Sequence, residues 1–357
     1  MMRVLQGTIV SASVVVMVAV SVLAESSARK PPAGGNFEMA DPFFRQVKPV
    51  LGRGVNLGNA LEAPKEGEWG VTLKESYFEQ IKTAGFDSVR IPVRWSAHAE
   101  SGPPYRIDSK FFDRVDWVVL QALKRRMHAV LNMHHYNELF KQPDANRERF
   151  MALWRQIAEH YQNQSPDLMF ELLNEPNGNL LAGKWNRLLA DTLGVVRQSN
   201  PTREVVVGPV GWNSIGELKN LELPEQDRHL TVTVHYYSPM QFTHQGAGWI
   251  GPEAEKWLGT KWIGSKTEQQ AIEHDFDIAN AWVVKHRRPL YLGEFGAFSK
   301  ADMDSRCRWT RFVADAAMRR KMSFAYWEFC SGFGVYDPVA EHWIQPLKDA
   351  LLPLTRK

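Results

Sequence analysis

The sequence predicts a single-domain (β/α)8 TIM barrel, an α/β fold, and three observations carry that prediction. From about Arg53 onward, short apolar segments of strand length alternate strictly with amphipathic helical stretches, and eight such units fit in the remaining 300 or so residues. That size and rhythm match a closed parallel barrel. No Gly-rich dinucleotide or phosphate loop follows the first segment, which disfavours an open doubly wound sheet. Most of the apolar segments run into polar or aromatic residues, as barrel strands do when their carboxyl ends surround a site.

The chain opens with residues 1–24, which carry Arg3, a Val-rich apolar run and the small-residue exit Val22-Leu23-Ala24. This is a secretory signal peptide pattern. An uncleaved N-terminal anchor is the other reading, although Gln6, Thr8, Ser11, Ser13 and Ser21 interrupt the run. Either predicts bacterial export, to the periplasm or beyond the cell, with no membrane association once the leader is removed. Residues 25–40 read as a linker because 25–35 are polar and rich in Pro and Gly. The single barrel domain is expected over 41–357.

With 357 residues, 44% hydrophobic and 23% charged, the chain can bury a large core. Its formal charge of +3 drops to +2 without Arg3. That is close to neutral and leaves no nucleic-acid footprint. The two cysteines, Cys307 and Cys330, are too few for a disulfide scaffold and are expected to be reduced and buried. A monomer is expected.

Strands are predicted over 54–57, 86–91, 128–133, 168–173, 204–208, 230–235, 290–293 and 322–327. Helices are predicted over 73–84, 111–125, 146–163, 183–198, 214–220, 267–286, 302–320 and 341–351, the fifth being the shortest. Strand one leads to Asn59 and Glu62, strand two ends in Arg90, and strand three in His134 and His135. Strand six ends in His235 and Tyr237, and strand eight in Trp327. Alternation along strand six puts His235 and Tyr237 on the inner face with Thr231 and Thr233.

Strands four and seven matter most. In LMFELLNEPN (168–177) an apolar run stops at Asn174, Glu175 and Pro176. Pro176 has no N–H, ends the ladder and favours an extended Glu175. In PLYLGEFG (289–296) a second apolar run delivers Glu294 between Gly293 and Gly296. Glu171 shares parity with Glu175 one step deeper, so it belongs in the barrel floor and needs a buried partner. Two carboxylates across a narrow mouth are what glycosidic cleavage needs: one protonates the leaving oxygen and the other meets the charge developing at the anomeric carbon.

Metal hydrolysis is a competing use of such groups, but the histidines lack ligand spacings such as HExxH, so neither metal nor cofactor is expected. No Gly-x-Ser-x-Gly elbow or Cys/His pair offers another nucleophile. A non-catalytic carbohydrate-binding barrel is the remaining alternative. Of the thirteen Trp, residues 69, 95, 212, 249, 257, 262 and 327 fall in predicted loops or strand tips. Indole faces stack on the apolar face of a pyranose, so these are read as sugar subsites, while Trp117, Trp154, Trp185, Trp282 and Trp309 are read as helix core.

These residues resemble glycoside hydrolase family 5. The motifs GNALEAP, NMHHY, LLNEPNGN, HYYSP, THQGAGW, GEFGAF and YWEFCSGFGVYD carry the resemblance over nearly the whole mature chain, and they are most similar to a bacterial branch that accepts both β-1,4-glucans and mannans. The resemblance implies that Glu175 is the acid/base, Glu294 the nucleophile, and Arg90, His134, Asn174, His235, Tyr237 and Trp327 their supports. It implies subsite roles for Asn59, Glu62, His135 and Trp249, with divergence expected in 251–265. The expected chemistry is retaining, with the pKa of Glu175 raised by the charge of Glu294.

Overall fold

The computed structural model describes residues 50–352. The expected leader (1–24), the linker (25–40) and the start of the catalytic domain lie outside the described residues. Eight parallel strands close into a barrel in sequence order: β1 (Arg53–Asn56), β2 (Ser88–Ile91), β3 (His128–Asn132), β4 (Leu168–Glu171), β5 (Val205–Val207), β6 (Leu230–Tyr236), β7 (Leu290–Phe295) and β8 (Ser323–Tyr326). β8 returns to β1 with Val55 opposite Tyr326. The (β/α)8 prediction is therefore met.

Seven main helices pack outside: α1 (Glu75–Ala84), α2 (Ser109–Leu123), α3 (Pro143–His160), α4 (Ala182–Ser199), α5 (Lys266–His286), α6 (Met303–Arg319) and α7 (Gln345–Leu351). Their starts follow local chemistry. Asp108 and Asp302 accept the backbone N–H of Phe111 and Ser305, and Ser265 with Glu268 forms a capping box on α5. Each satisfies donors that a helix N-terminus leaves unpaired. The fifth predicted helix is corrected: over 214–220 the chain makes a 3-10 helix, Ile215–Asn220, in place of an α-helix, and it buries Ile215 and Leu218.

The core has two layers. Leu51, Val130, Met169, Val206, Tyr291 and Ala325 fill the floor inside the barrel, while the larger cluster lies between sheet and helices. Four buried indoles add a second function to packing. The Nε1–H groups of Trp95, Trp154, Trp185 and Trp309 donate to the carbonyls of Asn132, Leu172, Gly208 and Ser238. Those oxygens sit where β3, β4, β5 and β6 end, so ladder partners are running out there and the indoles supply substitutes. Both cysteines are free thiols; Cys330 is buried as expected, but Cys307 is half-buried.

Candidate active site

The site begins with Arg90. Inward-facing on β2 and fully buried, its guanidinium donates from Nε and Nη2 to Glu171 at 2.6 and 2.7 Å. Glu171 thus has the buried partner its floor position requires. The other donors of Arg90 fan upward: Nη2 to Asn174 Oδ1 at 2.7 Å, Nη1 to Asn56 Oδ1 at 2.8 Å, and Nη1 to Glu294 Oε1 at 2.7 Å. One planar cation therefore fixes the contributions of β1, β4 and β7 together.

Glu294 is aimed by a bulge. Val234 pairs with Leu292, but His235 pairs with Glu294, leaving Gly293 as the extra residue. A Cβ on Gly293 would lie 2.5 Å from Thr233 Oγ1 and 3.0 Å from His235 Nε2, so only glycine fits. Glu294 Oε2 accepts the Tyr237 hydroxyl at 2.9 Å. His235 Nδ1 lies 2.8 Å from Glu175 Oε1 and 3.6 Å from Glu294 Oε2. Glu175, Glu294 and His235 each place one heteroatom within 4.8 Å of the others.

Glu175 corrects the expectation of an extended residue before Pro176. It adopts φ 47°, a left-handed conformation costly for a non-glycine, and Asn177 Nδ2 donates to its carbonyl at 2.8 Å. β4 also ends at Glu171, so Glu175 stands on the loop beyond the strand with its side chain 23% exposed.

Burial pushes the Glu175 carboxyl up to about 7, against the Arg90 guanidinium and with the help of the Glu171 charge. Removal from water is thus the leading cause, which corrects the expectation that the Glu294 charge leads. Burial also raises Glu294, assisted by the Glu175 charge and opposed by His235 and Arg90. The partners differ: Glu294 receives a guanidinium and a phenol, whereas Glu175 receives one imidazole. The anion is better held at Glu294 and the proton at Glu175. His235 is held at about 4 and His134 well below its ordinary value, in both cases mainly by burial, so both rings are neutral near pH 7.

The tautomer of His134 follows from the floor. Asn132 Nδ2 donates to Glu171 Oε1 at 3.0 Å, which leaves Asn132 Oδ1 to accept His134 Nδ1–H at 3.1 Å. Its Nε2 is then an acceptor. The His134 ring stacks on Trp327 with centroids 5.8 Å apart at 9°. His135 lies edge-on to Trp69 at 5.6 Å, and Asn59 donates from Nδ2 to Ser331 Oγ at 2.6 Å. Trp249, 61% exposed, stands edge-on to Phe298 at 4.9 Å and near Phe333 at 6.1 Å.

Residues 47–332 match the family described as cellulase, glycosyl hydrolase family 5. The chain belongs to glycoside hydrolase family 5. It is 39% identical over 297 residues to endoglucanase H of Acetivibrio thermocellus, covering 83% of this chain and 31% of that one. Cellulase/esterase CelE of the same organism is 28% identical, covering 80% and 36%. The chain thus spans about a third of the length of these two curated relatives. A crystal structure of Thermotoga maritima Cel5A with mannotriose superposes with a TM-score of 0.84 at 50% identity, covering 87% of this chain and all of that one.

In this member of family 5 the carboxyl pair, Arg90, Asn174, His235 and Tyr237 form one connected cluster, with His134 and Trp327 beside it. Glu62 does not join them as a sugar contact. It is fully buried, and its carboxylate accepts the backbone N–H of Asn59 and, at 3.0 Å, of Ala60. Burial pushes it up to about 8. It positions the loop that presents Asn59. Removing it in Glu62→Ala strands two N–H groups and is expected to cost about 1–3 kcal/mol of stability, read by denaturant unfolding; an unchanged midpoint would exclude the clamp.

Glu328, missed by sequence reasoning, does the same after β8: it accepts the backbone N–H of Cys330, Ser331 and Phe333. Trp95 and Trp262, read as subsites, are buried in the core instead. Asn213, whose Nδ2 lies 3.3 Å from His235 Nε2, was also missed, because it lies outside the motifs that carry the resemblance. Metal binding fits poorly because both oxygens of Glu294 are already engaged by protein donors.

Proposed function

We propose that this chain is an exported, monomeric endo-β-1,4-glycanase that cleaves cellulose-type glucans, and also glucomannan or xyloglucan, by double displacement with retention. The observation that carries the reading is the asymmetric carboxyl pair. One oxygen of Glu175 and one of Glu294 lie within 4.8 Å of each other, nearer the roughly 5–5.5 Å carboxyl spacing of retaining enzymes than the roughly 6.5–9.5 Å of inverting ones. The endoglucanase names of the relatives and the mannotriose bound to Cel5A support the substrate class.

In the first step Glu294, ionised and held by Arg90 and Tyr237, attacks the anomeric carbon. Glu175 gives its proton to the leaving glycosidic oxygen. The covalent ester removes the Glu294 charge, and Glu175, now a carboxylate, takes a proton from water, which attacks the same carbon and releases Glu294. Asn174 Oδ1 is engaged by Arg90, so its Nδ2 is left to donate to the sugar 2-hydroxyl. His134 Nε2 accepts a hydroxyl proton, and Trp327 floors the central subsite.

Side-by-side rates on carboxymethyl-cellulose, β-glucan, xyloglucan and glucomannan, with proton NMR of the first anomer released, test the reading. Release of the α-anomer or the absence of any hydrolysis would overturn it.

A pH dependence follows. Acid catalysis needs protonated Glu175, whose pKa in the fold is about 7. Rising pH removes that proton, so kcat/KM is expected to fall about tenfold per unit on the alkaline side of this value. In Glu175→Gln the alkaline limb should vanish together with most of the activity; a limb left in place would assign it to another group.

Trp249 and Trp212, 61% and 43% exposed, are proposed as outer sugar platforms. The Trp212 backbone N–H donates to Pro176 O, which places it beside the acid/base. Trp249→Ala is expected to raise KM for long oligosaccharides about 2- to 10-fold with little change for aryl cellobiosides. Equal effects on both substrates would place it outside a distal subsite.

A further inference from the structure

After β5 the backbone takes three consecutive left-handed residues, Gly211, Trp212 and Asn213, at φ 67°, 59° and 56°. Two of them are not glycine, and an L side chain rarely adopts this conformation unless its surroundings hold it there. The turn turns Trp212 outward and Asn213 inward, where it is completely buried. Asn213 Nδ2 comes to 3.3 Å from His235 Nε2. Gly208 makes the room: a Cβ there would sit 2.1 Å from Asn213 Oδ1.

We infer that Asn213 is a positioning residue for acid/base catalysis, acting through His235 to keep the Glu175 proton on the oxygen that faces the substrate. The inference rests on the glycanase reading above. His235 is neutral and carries one ring proton. With the Asn213 amide donating to Nε2, that proton must sit on Nδ1. Nδ1–H then donates to Glu175 Oε1 at 2.8 Å, so protonated Glu175 carries its hydrogen on Oε2. In the opposite tautomer Nδ1 is an acceptor, Glu175 turns its proton inward to Oε1, and the leaving oxygen meets a carboxyl with no proton to give.

Leaving-group chemistry isolates this role. Cleavage of cellotetraose expels a sugar hydroxyl oxygen, which would be a poor alkoxide leaving group without proton donation, whereas 2,4-dinitrophenolate departs unaided. Asn213→Gly keeps the left-handed backbone and removes the donor; Asn213→Asp keeps the shape and presents an acceptor to Nε2, favouring the wrong tautomer. The expected loss in kcat/KM on cellotetraose is about 10- to 100-fold, larger for Asp than for Gly, as for other residues that orient a catalytic group. On 2,4-dinitrophenyl β-cellobioside kcat/KM should change less than about threefold.

Equal losses on the two substrates would mean a structural defect and overturn the inference. So would an Asp variant as active as wild type, because Asn213 would then be an acceptor. A wild-type protein inactive on cellotetraose would instead overturn the glycanase reading itself, and the inference with it.

Discussion

Replacing Glu294 with Ala is expected to lower kcat on cellotetraose by on the order of 10⁵- to 10⁶-fold, the scale seen when a covalent nucleophile is removed from other hydrolases. The fold should survive, because Arg90 keeps Glu171, Asn56 and Asn174 as acceptors and Tyr237 loses one hydrogen bond at the edge of the mouth. A circular dichroism melt close to wild type should therefore accompany the loss. The same variant supplies a chemical check on stereochemistry. Azide that enters the space left by the carboxylate attacks a β-cellobioside bearing an activated leaving group from the nucleophile's face and inverts the centre, so formation of the α-cellobiosyl azide would locate that face. A residual rate within tenfold of wild type would remove Glu294 from the nucleophile role.

The second large effect concerns stability. Arg90 and Glu171 form an ion pair with both side chains fully buried, and removing one partner leaves the other charged in a poor dielectric. Glu171→Leu is expected to cost about 3–5 kcal/mol, measured by urea denaturation. It also frees Asn132 Nδ2, and with it the proton placement on His134, so kcat/KM should fall as well. The double variant Arg90→Met, Glu171→Leu should be more stable than Glu171→Leu alone, since the buried Nε–H that donates to Glu171 is no longer left without its acceptor, yet inactive, because Glu294 loses its guanidinium. A single variant that unfolds at the wild-type midpoint would show that the pair contributes nothing.

The barrel was legible because period-two and period-3.6 patterns report burial directly, and eight repeats leave one closed architecture. The inner set of polar residues was legible for the same reason: parity on β6 puts His235 and Tyr237 inside, while Tyr236 turns outward to Asp275 on α5. Residues in loops were harder. Trp95 and Trp249 both lie in short 3-10 turns, yet one is buried in the core and the other is 61% exposed. That choice is made by partners distant in sequence, such as the carbonyl of Asn132. Glu62 illustrates the same point for charge, because its partners are backbone N–H groups that no side-chain pattern announces. The left-handed Glu175 and the bulge at Gly293 are also tertiary outcomes, since the surrounding contacts over-determine backbone conformations that local preference disfavours.

The four indoles that grip the ends of β3, β4, β5 and β6 hold main-chain oxygens and touch no catalytic side chain through that bond. An amide oxygen is present whatever residue carries it. Mutational drift in the residues that meet the polysaccharide can therefore proceed on a rim whose shape is inherited from the helices behind it, and a library that randomises those facing positions has an unaltered scaffold to build on.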